Sequence, residues 1–232
     1  VKTYPKVLLA CPTNEVKDYC FDAWIENVRE FTYPNFAILM VDNSETKKYS
    51  KRLAKEGISV EWVKPKNRSL MNRIAQSHEL CRQVALGYNF DYLFHLESDI
   101  FPHQTIIEDL ILAKKSVIGA LYHIGQKEES ELMVQITHET SDENFLMTRG
   151  LRTDLTHWLD GTIKKVYHIG LGNLMIHKSV LPHFVFRYEP NKNFHPDSFF
   201  AMDLYRKGID IYADTNMIVE HDNRPHQTMK VI

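Results

Sequence analysis

The chain lacks an excess of charge of either sign. Its 232 residues carry 28 Lys and Arg against 30 Asp and Glu, a formal net charge of −2. That leaves no bulk electrostatic reason to expect duplex nucleic acid or an anionic membrane as a partner. Cysteine is scarce too: Cys11, Cys20 and Cys81 are the only three. An odd count without CxxC spacing argues against a disulfide framework or a zinc finger. It fits a reducing compartment in which the three serve as small buried apolar residues. No apolar run reaches the ~18 residues needed to span a bilayer. No basic stretch followed by a long apolar one stands at the start, so no signal peptide is visible. The expectation is a soluble, cytoplasmic chain without a membrane span. Glycine is sparse at nine residues, and no GxGxxG or GxxxxGK[ST] follows the first apolar run. A dinucleotide site or a P-loop ATP site is therefore disfavoured.

What the chain does have is alternation. Lys6–Ala10, Phe36–Val41, Asp91–Leu96 and Ser116–Tyr122 are short apolar runs of strand length. Between them, Val16–Phe31, Ser50–Glu56, Leu70–Leu86 and Thr105–Ala113 carry apolar residues at helical spacing, and Ile58–Val63 alternates like a strand. Strand–helix alternation argues for a central, mostly parallel sheet flanked by helices. The second half is less regular. Glu128–Thr140 suggests a strand, Asp142–Gly161 a loop with a turn of helix, and Pro196–Lys207 a helix. Lys164–Ile169, Asn173–His177, Ile209–Ala213 and Met217–Glu220 read as short strands. With no repeat or linker, residues 1–232 form one domain.

In such sheets ligands bind beyond the carboxyl ends of the strands. The polar residues there are Pro12-Thr13-Asn14-Glu15, Asp42-Asn43-Ser44 and Glu97-Ser98-Asp99. Two acids one residue apart at a strand end can face one hard cation, which bridges carboxylates to phosphates; an isolated E-x-D is more often a solvated turn. Asp42 is either an acceptor for a nucleotide base or ribose, or a turn aspartate. Asp197, after His195-Pro196, either caps a helix or acts as a general base. His221 ends an apolar strand and is a candidate metal ligand or an ordinary satisfied histidine. Arg73 and Lys66 would add positive charge near phosphates, although solvated roles are commoner for such residues.

The order of these motifs resembles the nucleotide-sugar-dependent glycosyltransferases of GT-A fold, family 2-like. Val7 to Asn14 matches the first strand and donor loop. Leu39-Met40-Val41-Asp42-Asn43-Ser44 matches the second strand with its base-contacting aspartate, and His95-Leu96-Glu97-Ser98-Asp99 the D-x-D metal motif. Gly170 to Ile176 matches the glycine-led strand under the sugar, His195 to Leu204 the acidic helix start, and Met217 to His221 the terminal strand with its metal-binding histidine. Glu97 replaces the first aspartate of the metal motif, and Pro196-Asp197 replaces an E-D pair.

The resemblance implies a GT-A, Rossmann-like α/β fold and a metal-dependent transfer of sugar from a nucleoside-diphosphate donor, UDP by preference. The acceptor would be a saccharide or another hydroxyl. Mn²⁺ or Mg²⁺ would sit on Asp99, His221 and Glu97. The donor would meet Pro12, Thr13, Asn14, Asp42, Asn43, Arg73, Glu97 and Ser98. Asp197 would be the base of an inverting reaction, and His157, Trp158, His168, Tyr122 and His123 would line the sugar or acceptor pocket, with core packing the alternative for Trp158 and Tyr122. The nucleotide-binding half would run to about residue 125, with the acceptor-binding half over the rest. The alternatives are a nucleotidyltransferase, disfavoured by Cys11-Pro12-Thr13-Asn14-Glu15 where a glycine-rich basic loop is needed, and a non-catalytic nucleotide-sugar-binding domain. A modified base in viral DNA is the minor acceptor alternative, with Lys64-Pro65-Lys66-Asn67-Arg68 as the basic loop that would touch phosphates.

Overall fold

A computed structural model of the chain describes residues 3–65, 69–124, 131–135, 157–192 and 194–222. The first strand, β1 (Val7–Thr13), turns Leu8 and Ala10 into one apolar layer and Val7, Leu9 and Cys11 into another, the two-residue period of a pleated strand. A 3-10 turn (Glu15–Lys17) leads into α1 (Asp18–Arg29), whose Phe21, Trp24, Ile25 and Val28 cover the second layer. Their three- and four-residue spacing places them on one helical face.

The alternation continues through β2 (Phe36–Asp42), α2 (Lys48–Leu53), β3 (Ser59–Trp62), α3 (Leu70–Gly87), β4 (Tyr92–Leu96), β5 (Ile100–Phe101), α4 (Ile106–Leu112) and β6 (Val117–Ile124). Then come β7 (Glu131–Leu132), β8 (Val134–Gln135), β9 (Ile163–Val166), β10 (His168–Ile169), β11 (Asn173–His177), α5 (Pro196–Arg206) and β12 (Ile211–His221). The main sheet runs β3-β2-β1-β4-β11-β6-β12-β5, with β7 beside β6 and β9 beside β12. The strands from β3 to β4 are mutually parallel, as is the β6–β12 pair. Residues of α3 and α5 fill the layer on one face of the sheet, and those of α1 and α4 fill the other. All three cysteines are free and buried in these layers or beside them.

The helices and the first-half strands fall where the sequence places them, within a few residues. Three features differ. The strand expected to stop at Ala10 continues through Thr13, because Cys11, Pro12 and Thr13 pair with β2. β4 pairs with β1 only as far as Ala10, so Pro12 sits where one side of the strand is open and its missing N–H breaks no ladder. The two strands expected between residues 209 and 220 are one, β12, with a register shift between Asp214 and Ile218. Finally, β11 inserts antiparallel between β4 and β6, so the sheet is mixed at its centre. Of the strand expected over 128–140, residues 131–135 form β7 and β8, and the rest lies outside the described residues, as do Lys66, Arg68 and most of 142–161.

Candidate active site

The carboxyl ends of β1, β2 and β4 open on one crevice of ≈ 230 Å³, lined by Pro12, Thr13, Asn14, Lys17, Asn43, Leu70, Ile74, His78, Glu97, Ser98, Asp99 and His195 among others. A hydrogen-bonded lattice ties these ends together. Asn14 Nδ2 donates to Asn43 Oδ1 at 2.7 Å, and Asn43 Nδ2 donates to Ser77 of α3 at 3.0 Å. Thr13 Oγ1 and Ser98 Oγ lie 3.4 Å apart. The buried polar groups of the loops therefore satisfy one another, which fixes the loops relative to the sheet.

The Glu97-Ser98-Asp99 turn is anchored from two sides. The Glu97 N–H donates to the Gly172 carbonyl at 2.9 Å, and the Asp222 N–H donates to the Asp99 carbonyl at 2.8 Å. Just beyond the turn, Ile100 and Phe101 of β5 pair with His221 and Glu220 of β12. That pairing carries His221 onto Asp99 across 122 positions of sequence: its Nε2 lies 3.3 Å from Asp99 Oδ2. The other ring nitrogen, Nδ1, donates to the His123 carbonyl at 2.6 Å, which fixes the ring's orientation. Tyr122 is part of the buried layer and accepts from the Gly172 N–H at 3.2 Å.

Lys17 also reaches this turn. Asn14 Oδ1 accepts from the Val16 N–H at 3.2 Å and so caps the 3-10 turn, and Lys17 at its end places its ammonium on Asp99 Oδ2. Asp99 is buried, which pushes its carboxyl up, but the His221 hydrogen bond and the Lys17 charge outweigh this and hold it below the ordinary range. Glu97 goes the other way, raised by burial and by the Asp99 charge. His221 is raised: burial pulls it down, and the bond to Asp99 more than offsets this.

Among the described residues, no three His, Cys, Asp or Glu side chains form a metal cage of their own. Asp99 and His221 nonetheless fit a divalent ion of the kind that takes its remaining ligands from substrate phosphates and water. Asp99 Oδ1 is buried without a hydrogen-bond partner. With Nδ1 given to a carbonyl, His221 turns Nε2 toward Asp99 Oδ2, and Nε2 is the atom that would take the ion, as in metal sites where a second contact fixes the imidazole tautomer.

The other expected site residues divide. Pro12, Thr13, Asn14, Asn43, Glu97 and Ser98 line the crevice. Asp42 is fully buried behind it. Its Oδ1 accepts from the Ser44 N–H at 2.9 Å and the Ser44 hydroxyl at 2.5 Å, and its Oδ2 accepts from Ser50 at 2.5 Å. It shapes the loop that carries Asn43. Arg73 is ion-paired with Glu45 and is not among the described lining residues. Trp158 packs against the apolar layer, and His157 is exposed. Asp197 is 3 % exposed and does not line the crevice; His195, two positions before it, does. Lys17, His78 and His195 are the polar crevice residues to which the sequence reading assigned no role. His78 is neutral: burial, then the neighbouring His95, hold it well below the usual histidine range. Its ring meets the buried His95 edge-on at 4.7 Å.

The architecture is that of a GT-A-like fold. Among solved structures the chain is similar to that of S. aureus TarS 1-349 in complex with UDP, with a TM-score of 0.58 and 11% identity over 92% of this chain. The same protein in complex with UDP-GlcNAc gives 0.56 and 12% over 92%. A mycobacterial protein gives 0.57 and 16% over 95% of this chain and 68% of its own. The chain spans 59% and 57% of the two TarS chains. No protein-family model and no curated protein sequence matches it. Among the described residues, no helix is long and apolar enough to cross a membrane.

Proposed function

We propose that this chain transfers a sugar from a nucleoside-diphosphate donor, UDP by preference, to an acceptor hydroxyl. The observation that carries this reading is the meeting of Asp99, which lines the crevice, with His221 at 3.3 Å across 122 positions of sequence. The fold shared with a protein crystallised with UDP and UDP-GlcNAc supports it.

In this reading Pro12, Thr13, Asn14 and Asn43 receive the nucleoside, and Asp42 acts through the loop it holds. Asp99 and His221, with Glu97 beside them, would hold Mn²⁺ or Mg²⁺. Held there, such an ion would supply counter-charge for a departing diphosphate. The Lys17 ammonium, already on Asp99, adds a second positive charge on the same side. A proton acceptor on the far side of the sugar would make the reaction inverting, the role the sequence reading gave to Asp197.

A thermal-shift panel of UDP-, GDP-, CMP- and TDP-linked sugars, each with and without Mn²⁺, tests the proposal. The true donor at a hundredfold excess over Kd should add ~2.7 kcal/mol of stability. No shift with any sugar nucleotide in either metal condition would sink the reading. Turnover of nucleoside triphosphates would instead favour a nucleotidyltransferase.

A further inference from the structure

Asp197 was the acid expected to take the acceptor's proton, yet it stands in the second row. It opens the first turn of α5, where the helix N-terminus favours its charge, and its side chain is buried. On Asp197 Oδ1 converge two imidazoles: His195 Nδ1 at 2.9 Å and His168 Nε2 at 3.5 Å. Both are ion-pair approaches whose angles fall outside hydrogen-bond geometry. Burial alone would raise the Asp197 carboxyl, but the two histidines hold it well below the aspartate range. A carboxylate in that state is a weak base, because proton-accepting power falls with pKa.

His195 has what Asp197 lacks. Pro196 at the first helical position keeps the preceding residue extended (φ −72, ψ 150), which swings His195 off the helix. Its Nδ1 is buried toward Asp197, while its side chain as a whole is 41% exposed. The far edge of the ring therefore looks outward, and His195 lines the same crevice as Glu97, Ser98, Asp99 and Lys17. A carboxylate 2.9 Å from one ring nitrogen stabilises the imidazolium charge that forms when the other nitrogen takes a proton.

We propose that His195 is the catalytic base of the transfer and that Asp197 is its positioning residue, with His168 bracing the same carboxylate oxygen. This rests on the glycosyl-transfer reading above. In the step, the acceptor O–H bond breaks and its proton passes to His195 Nε2. The acceptor oxygen forms its bond to the anomeric carbon, and the bond from that carbon to the diphosphate oxygen breaks. The electron pair leaves with the diphosphate, and His195 later gives its proton to solvent.

The test uses the whole chain and the donor panel, with water as acceptor and nucleotide release as the readout. His195→Gln should lower kcat about 10²–10⁴-fold while its thermal shift with the nucleotide sugar stays that of the wild type. Asp197→Asn should lower kcat less, with the donor KM unchanged. Added imidazole should restore part of the turnover of His195→Ala, which a purely structural role for His195 would not allow. Undiminished turnover in His195→Gln overturns the inference and leaves the glycosyl-transfer reading standing. So does a dead Asp197→Asn protein that still binds donor, combined with no imidazole rescue of His195→Ala. A wild-type chain that neither binds nor cleaves any member of the panel overturns both.

Discussion

At the scale of single residues, the centre of the crevice is a balance of charge around Asp99. Its side chain is 2% exposed, and Lys17, 22% exposed, supplies the nearest full positive charge. Lys17→Met removes that charge and leaves a buried carboxylate with His221 as its one described counter-charge. Breaking a fully buried pair costs about 3–5 kcal/mol; with Lys17 partly in water, about 1–3 kcal/mol is expected in urea unfolding. A divalent cation should compensate at the same place, so Mn²⁺ should raise the stability of Lys17→Met by more than it raises that of the parent. Equal stabilities and equal Mn²⁺ responses would remove Lys17 from the site. Asp99, Asn14 and His221 were legible in the sequence because each closes an apolar strand-length run at the end where ligands bind. Lys17 was not, since a lysine beside a helix start reads as solvated until the Asn14 cap shows where the turn throws it. His195 stood in a recognised motif, but the pattern drew the eye to the acid after it. The burial of Asp197 and the place of His195 in the crevice wall separate the two roles proposed above.

At the scale of elements, the helices and the first-half strands were legible because each has its own period and its own stop. The placement of β11 was not. Its five residues, Asn173–His177, are buried nearly throughout, and an apolar run of that length carries no sign of direction or neighbour. What marks its place is glycine. A Cβ at Gly170 would lie 2.0 Å from the Tyr122 hydroxyl, and one at Gly172 would lie 2.4 Å from Ile100 Cδ1. These glycines let the chain pass close over β6 and β5, and Gly172 in turn holds the Glu97 N–H. Gly170→Ala must push Tyr122 or the turn aside. Overpacking of this kind costs about 1–3 kcal/mol, to be read as a lowered urea midpoint. Because Tyr122 also braces Gly172, donor binding should weaken along with stability. A variant as stable as the parent would show that the turn has room to shift.

At the scale of the molecule, the insertion of β11 decides whether the two functional halves are separate units. β4 and β6 belong to the half expected to bind nucleotide, yet they do not pair with each other. Each pairs with β11, from the other half. The apolar layer is shared in the same way: Leu8, Leu93 and Val117 pack in one cluster with Leu174, Phe199 and Phe200. β12 lies against β6 along most of that strand and delivers His221 to Asp99. Residues 1–124 alone would bare one edge of β4, both edges of β6 and the paired edge of β5, and would strip α5 from the face it shares with α3, a poor basis for independent folding. This fragment should therefore show no cooperative thermal transition by circular dichroism and should associate on gel filtration, while the whole chain unfolds in a single transition. A soluble, monomeric 1–124 with a sharp transition would mean that the first half closes its own sheet. The meeting of Asp99 with His221 would then be a docking of two bodies, where the pairings above make it a consequence of one continuous fold.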